Sequence, residues 1–131
     1  MSPETVSGIA GILTVAVPVA DHDRALDFYR GRLGFEVRRD SEFGPGMRWV
    51  EVAPPGSQIT IALAPVRQGA STGVDTGIRL ATANAEATHA DLASRGVEVG
   101  EVLHMGPAVP PMFFLKDADG NQLVIVEAAG A

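Results

Sequence analysis

The chain has 131 residues, enough for one domain with a core that needs no covalent staples. It has no cysteine, which excludes disulfides, thiolate metal sites and cysteine nucleophiles. A net charge of −6 with ten scattered basic residues argues against a nucleic-acid surface, and 46% hydrophobic with 20% charged residues is the composition of a globular domain.

The longest apolar stretch runs from Gly8 to Ala20 and is too short to span a bilayer. Glu4 precedes it and no Lys or Arg does, so it lacks the positive flank of a signal peptide. It reads as a buried strand, and the expected location is cytoplasmic. Thr14 to Asp21 is strand-like and ends on a good helix N-cap, Asp21. Leu26, Phe28, Tyr29 and Leu33 then fall at near-helical spacing, and Gly34 stops the helix. Phe35 to Arg39 alternates as a strand, Gly44-Pro45-Gly46 turns, and Met47 to Val52 is a second strand. Pro54-Pro55-Gly56 turns again, and Gln58 to Leu63 alternates.

The second half repeats this order. Gly77 to Ala81 is strand-like, and Asn84 is an N-cap 63 positions after Asp21. The helix it opens stops at Gly96, 62 positions after Gly34. Val97-Glu98-Val99 echoes Phe35-Glu36-Val37, and Gly120 to Ile125 echoes Gly56 to Ile61. Each half is therefore β-α-β-β-β. The first module covers about residues 9–64, a linker rich in Gly, Ser and Thr covers 65–76, and the second module covers about 77–127. Residues 1–131 are expected to form a single domain of α+β class. Two such sheets facing each other would make a cup-shaped cavity with the helices outside.

With these local sequences, the chain resembles the vicinal oxygen chelate superfamily of glyoxalase I, extradiol dioxygenases, fosfomycin-resistance proteins and bleomycin-binding proteins. The residues that carry the resemblance are Val17 to Asp21, Ala25 to Tyr29, Leu33 to Val37 and Phe114 to Asn121. The last contains Asp117-Ala118-Asp119-Gly120-Asn121, with Ala118 where the family often has proline. By its residues that segment reads as a turn, with aspartates bonding local amides, rather than as a calcium loop.

Metal-dependent members of the family have four His, Gln or Glu ligands, on the first and last strand of each half. The resemblance puts those positions at Thr14, Thr60, Gly77 and Val124, none of which is a usual ligand. A one-residue slip brings in no ligand either. His22, His89 and His104 have no local partner at metal-binding spacing. No metal and no cofactor are expected, and glyoxalase I or ring-cleaving dioxygenase chemistry is not expected. His104 keeps some interest because its Pro- and Met-rich loop could rim the cavity.

Strand parity puts Ala16, Ala62, Arg79, Gln122 and Val126 on the face of the four ligand-equivalent positions. Pairing across the Asp117–Gly120 turn sets Phe113 opposite Val124 and Leu115 opposite Gln122, and the repeat puts Trp49 and Glu51 inward beside them. With the register shifted by one, Arg48 and Phe114 face the cavity instead. Arg79 could hold a ligand carboxylate or phosphate, or pair with Glu51. Glu51 is a candidate general base. Trp49, Met112 and Phe113 could stack on a planar or apolar ligand, or pack in the core. Thr14, Thr60, Gln122, Val124 and His104 complete the candidate ligand-binding set. The leading expectation is a metal-free protein that binds or sequesters a small organic molecule, anionic or aromatic. The resemblance to bleomycin-resistance proteins implies a homodimer. The alternative is a metal-independent lyase, isomerase or cyclase with Glu51 as base and Arg79 as anion holder. Neither nucleic acid nor membrane is an expected partner.

Overall fold

The structure, a computed structural model, describes residues 7–66 and 71–131. The middle of the expected linker, 67–70, lies outside the described residues. Strand β1 (Thr14–Val19) leads into helix α1 (His22–Leu26), which continues as a π-helical stretch over Asp27–Arg32. Strands β2 (Glu36–Gly44), β3 (Met47–Ala53) and β4 (Thr60–Pro65) complete the first module. The second runs β5 (Asp75–Thr82), α2 (Ala85–Ser94), β6 (Glu98–Val99), β7 (Met112–Lys116) and β8 (Gln122–Glu127). The architecture is the expected α+β pair of βαβββ units. Each unit forms a four-stranded mixed sheet, in the orders β1-β4-β3-β2 and β5-β8-β7-β6. The first strand of each unit pairs parallel with the last and is left at a sheet edge. Among the described residues no helix is long and apolar enough to cross a membrane.

Both helices start where their caps predict. The Asp21 carboxylate accepts from the Asp23 amide at 2.8 Å, and the Asn84 side chain accepts from Ala87 N at 2.9 Å. The wider π turns of the first helix let Leu26, Phe28 and Tyr29 all reach the core. Along the strands, alternate residues face the helices. Val17, Val50, Val52 and Leu63 of the first sheet join Phe113, Leu115, Leu123 and Ile125 of the second in one continuous core. Each such fully buried side chain contributes roughly 1.5–3 kcal/mol.

The Asp117–Asn121 turn does more than reverse the chain. Asp117, Asn121 and Tyr29 are buried, and they tie the modules together. The Asp117 carboxylate accepts from Tyr29 Oη at 2.7 Å, from Asn121 Nδ2 at 3.0 Å, and from the amides of Asp119 and Asn121 at 2.9 Å each. The Asn121 side chain also donates to Pro18 O at 2.7 Å and accepts from the amides of Gly73 and Val74. The Asp119 carboxylate accepts from Ala20 N at 3.0 Å. Backbone from the end of β1 and from the approach to β5 is thus locked to one turn.

This role of Asn121 corrects the expected register. The turn runs through Asn121 rather than ending at Gly120, so β7 and β8 pair Lys116 with Gln122 and Phe114 with Val124. A slip of one residue turns every side chain of a strand over. Phe113 and Leu115 therefore face the core, and Phe113 lies edge-on to the His89 ring of α2, with centroids 5.1 Å apart. Phe114 takes the open face that was expected for Phe113.

Candidate functional site

On the face of the first sheet turned away from the helices, polar side chains form a chain. Glu51 and Ala62 pair across β3 and β4, as Thr14 and Thr60 pair across β1 and β4. The hydroxyls of Thr14 and Thr60 lie 2.7 Å apart, and Thr60 Oγ1 donates to Glu51 Oε1 at 2.6 Å. The Trp49 indole N–H donates to the other Glu51 oxygen. Trp49 remains 41% exposed, with the Arg39 guanidinium 5.7 Å from its ring centre. The Thr60 hydroxyl, and after it the Trp49 indole, hold the Glu51 carboxyl below the usual carboxylate range. Glu51 is thus a fixed anion with both oxygens engaged. Trp49, Glu51, Thr60 and Thr14 come together as expected. Arg48 does not join them, because it is bound to Asp40 and Asp23.

The open face of the second sheet is built differently. Val124 lies between Arg79 on β5 and Phe114 on β7. The next row is Ala81, Val126 and Met112, and the row before is Asp75, Gln122 and Lys116. Arg79, Gln122 and Val124 therefore share a face as predicted, and the register shift that removes Phe113 from it brings Met112 onto it. Position 77 is also displaced. An irregularity between Asp75 and Arg79 inserts extra residues into β5, with Gly77 at a φ of +70° that only glycine adopts readily. Arg79, not Gly77, ends up beside Val124 and takes the register place that Thr14 holds beside Thr60.

A cavity of about 770 Å³ lies along the edge strands β1 and β5. Its walls are largely aliphatic, including Ile12, Ile59, Ile61 and Leu80, and Thr60 and Arg79 also line it. Arg79 Nη1 donates to Gly77 O at 2.9 Å. Among the described residues no carboxylate lies within ion-pairing distance of Arg79, so the expected alternative of a Glu51–Arg79 pair does not form. His104 stands apart, paired with Glu86 on α2 at 2.8 Å and exposed. His22 and His89 bond to the backbone carbonyls of Leu63 and Gly100.

The donor set does not fit the metal centre of the family's catalytic members. The four register positions hold Thr14, Thr60, Arg79 and Val124: two hydroxyls, a cation and an alkyl group. Among the described residues no three His, Cys, Asp or Glu side chains converge.

Comparison with known proteins agrees with this architecture. A family model described as the Glyoxalase/Bleomycin resistance protein/Dioxygenase superfamily matches residues 11–125. An uncharacterized protein of Bacillus subtilis (strain 168), YetH, is 31% identical over 121 residues, spanning 91% of this chain and 99% of its own. A member of the same superfamily from Sphaerobacter thermophilus DSM 20745 superposes with a TM-score of 0.84 at 36% identity, covering 92% of this chain and 98% of its own. TnmS3, an antibiotic binding protein from Streptomyces sp. CB03234, superposes with a TM-score of 0.78 at 28% identity, covering 93% and 98%.

Proposed function

The chain belongs to the Glyoxalase/Bleomycin resistance protein/Dioxygenase superfamily, and on that premise we propose that it binds and sequesters a small organic molecule without a metal. The observation that carries this reading is the aliphatic cavity of about 770 Å³ that meets the open sheet face at Thr60 and Arg79. Its size falls within the roughly 300–1,000 Å³ of small-molecule sites, and apolar walls with few polar groups are their usual form. Similarity to TnmS3, an antibiotic binding protein, supports the same class of function.

Glu51 favours binding over turnover. Both its oxygens already accept hydrogen bonds, and its lowered pKa makes it a weak proton acceptor near neutral pH. Fixed in place, it can accept a hydrogen bond from a ligand beside Trp49. A homodimer is part of the proposal. Exposed Ile9 and Leu13 are large apolar side chains that a second subunit would cover.

Native mass spectrometry of the purified protein, mixed with a broad panel of small organic molecules, tests the reading. A dimer mass and a stoichiometric adduct are expected, with thermal stabilisation equivalent to about 2.7 kcal/mol at a ligand concentration of 100 Kd. A panel that leaves both mass and melting temperature unmoved would overturn it. Stoichiometric Zn, Ni, Fe or Mn by elemental analysis would overturn its metal-free part.

A further inference from the structure

We infer that the row Arg79–Val124–Phe114 is a subsite for an aromatic organic anion, with its carboxylate or phosphate at Arg79 and its ring near Phe114. The inference rests on the proposed binding function and names the chemical class of its ligand. Three observations carry it.

The first is the aim of Arg79. The irregularity in β5 has its own support: Thr76 Oγ1 donates to Gln122 O at 2.7 Å and accepts from Ile78 N at 3.1 Å, in place of ladder bonds. Asp75 Oδ1 accepts from Gly77 N at 3.1 Å, and Gly77 O accepts from Arg79 Nη1. The bulge thus sets Arg79 in the row of Val124, on the open face its strand parity gives it, and Gly77 O holds one edge of its guanidinium. The rest of the donor fork is free for a planar anion.

The second is the want of a counter-charge. Arg24, Arg38, Arg48, Arg95 and Lys116 each have a carboxylate within 4.0 Å, whereas Arg79, like Arg30, Arg32 and Arg39, has none among the described residues, and of these four only Arg79 lines the aliphatic cavity. Gly77, Ala81, Val124 and Val126 surround it on its face, and Lys116 and Asp75 lie one row away. An unpaired guanidinium beside an aliphatic cavity favours an incoming anion over a neutral molecule.

The third is the aromatic end. Phe114 is 38% exposed although it lies in the middle of β7, while its neighbours Phe113 and Leu115 are buried. Two strand spacings separate Arg79 from Phe114, about 9–10 Å. That is the span of a fused-ring or extended aryl acid. The first sheet offers no equivalent, since Thr14 stands in the place of Arg79.

Titration calorimetry with naphthoate, naphthyl phosphate and the neutral naphthylmethanol tests the assignment. One or both anions should bind at least roughly ten-fold more tightly than the alcohol. The better of the two identifies the anionic group. Arg79→Gln should erase the preference, Arg79→Lys should keep part of it, and Phe114→Ala should weaken all three probes alike. Arg79 is exposed, so its variants are expected to fold, with an unchanged melting temperature as the check. Equal binding of anions and alcohol, or a preference that survives Arg79→Gln, would overturn the inference and leave the binding function standing. Binding of none of the three would also overturn it. The binding function falls only if the broad panel too leaves the melting temperature unmoved.

Discussion

Asp117 and Glu51 each gather donors around one carboxylate, on opposite sides of the sheets. Asp117 is buried with four donors, one of them the Tyr29 hydroxyl 88 positions away in the other module. Glu51 is half-buried, with donors from its own sheet, Thr60 and Trp49. A buried carboxylate deprived of water must be fully bonded, and its partners are orphaned if it goes. At a face open to water the same bonds are worth far less to folding. The first network therefore holds the modules together, and the second leaves an ordered anion available to a ligand.

Three substitutions can break or sharpen that contrast. Asp117→Ala should have the largest effect, about 3–5 kcal/mol in urea unfolding, because it strands the Tyr29 hydroxyl and two buried amides. A loss below about 1 kcal/mol would mean that the turn does not clasp the modules. Tyr29→Phe should cost less, about 1–2 kcal/mol at neutral pH. Burial first, and the Asp117 charge second, push the Tyr29 phenol well above its ordinary value. In the unfolded chain that phenol ionises near pH 10. The stability it contributes is complete below that pH and lost as pH rises beyond it. Tyr29 is the single tyrosine, so native tyrosinate absorbance should stay absent until alkaline unfolding, and the loss of stability should flatten in Tyr29→Phe.

Glu51→Gln should have the smallest effect on folding, within about 0.5 kcal/mol at neutral pH. The folded Glu51 carboxyl lies below its ordinary value. Its contribution is therefore present above about pH 4.3 and lost as pH falls through the lower folded value. Thermal unfolding across acid pH should show a slightly shallower decline in Glu51→Gln. A loss as large as that of Asp117→Ala would erase the distinction between clasp and site.

Much of the fold was legible because its signals are local. Asp21 and Asn84 cap helices through amides two and three residues on. Strand alternation put Thr14, Thr60, Glu51 and Trp49 on one face. The tandem repeat, read as a repeat of caps and stops, gave the two modules. The clasp was not legible, since nothing local in Tyr29 or Pro18 announces a partner about a hundred positions away. Its effect reached the candidate site: by drawing Asn121 into the turn it set the register that buries Phe113 and exposes Phe114.

The sequence by itself determined the order of elements and the two-module plan. Short-range hydrogen bonds and side-chain chemistry suffice for those. Only the tertiary structure decided that Arg79, not Gly77, stands beside Val124, and that it meets no carboxylate among the described residues. A bulge shifts register by changing which backbone groups pair between strands more than forty residues apart.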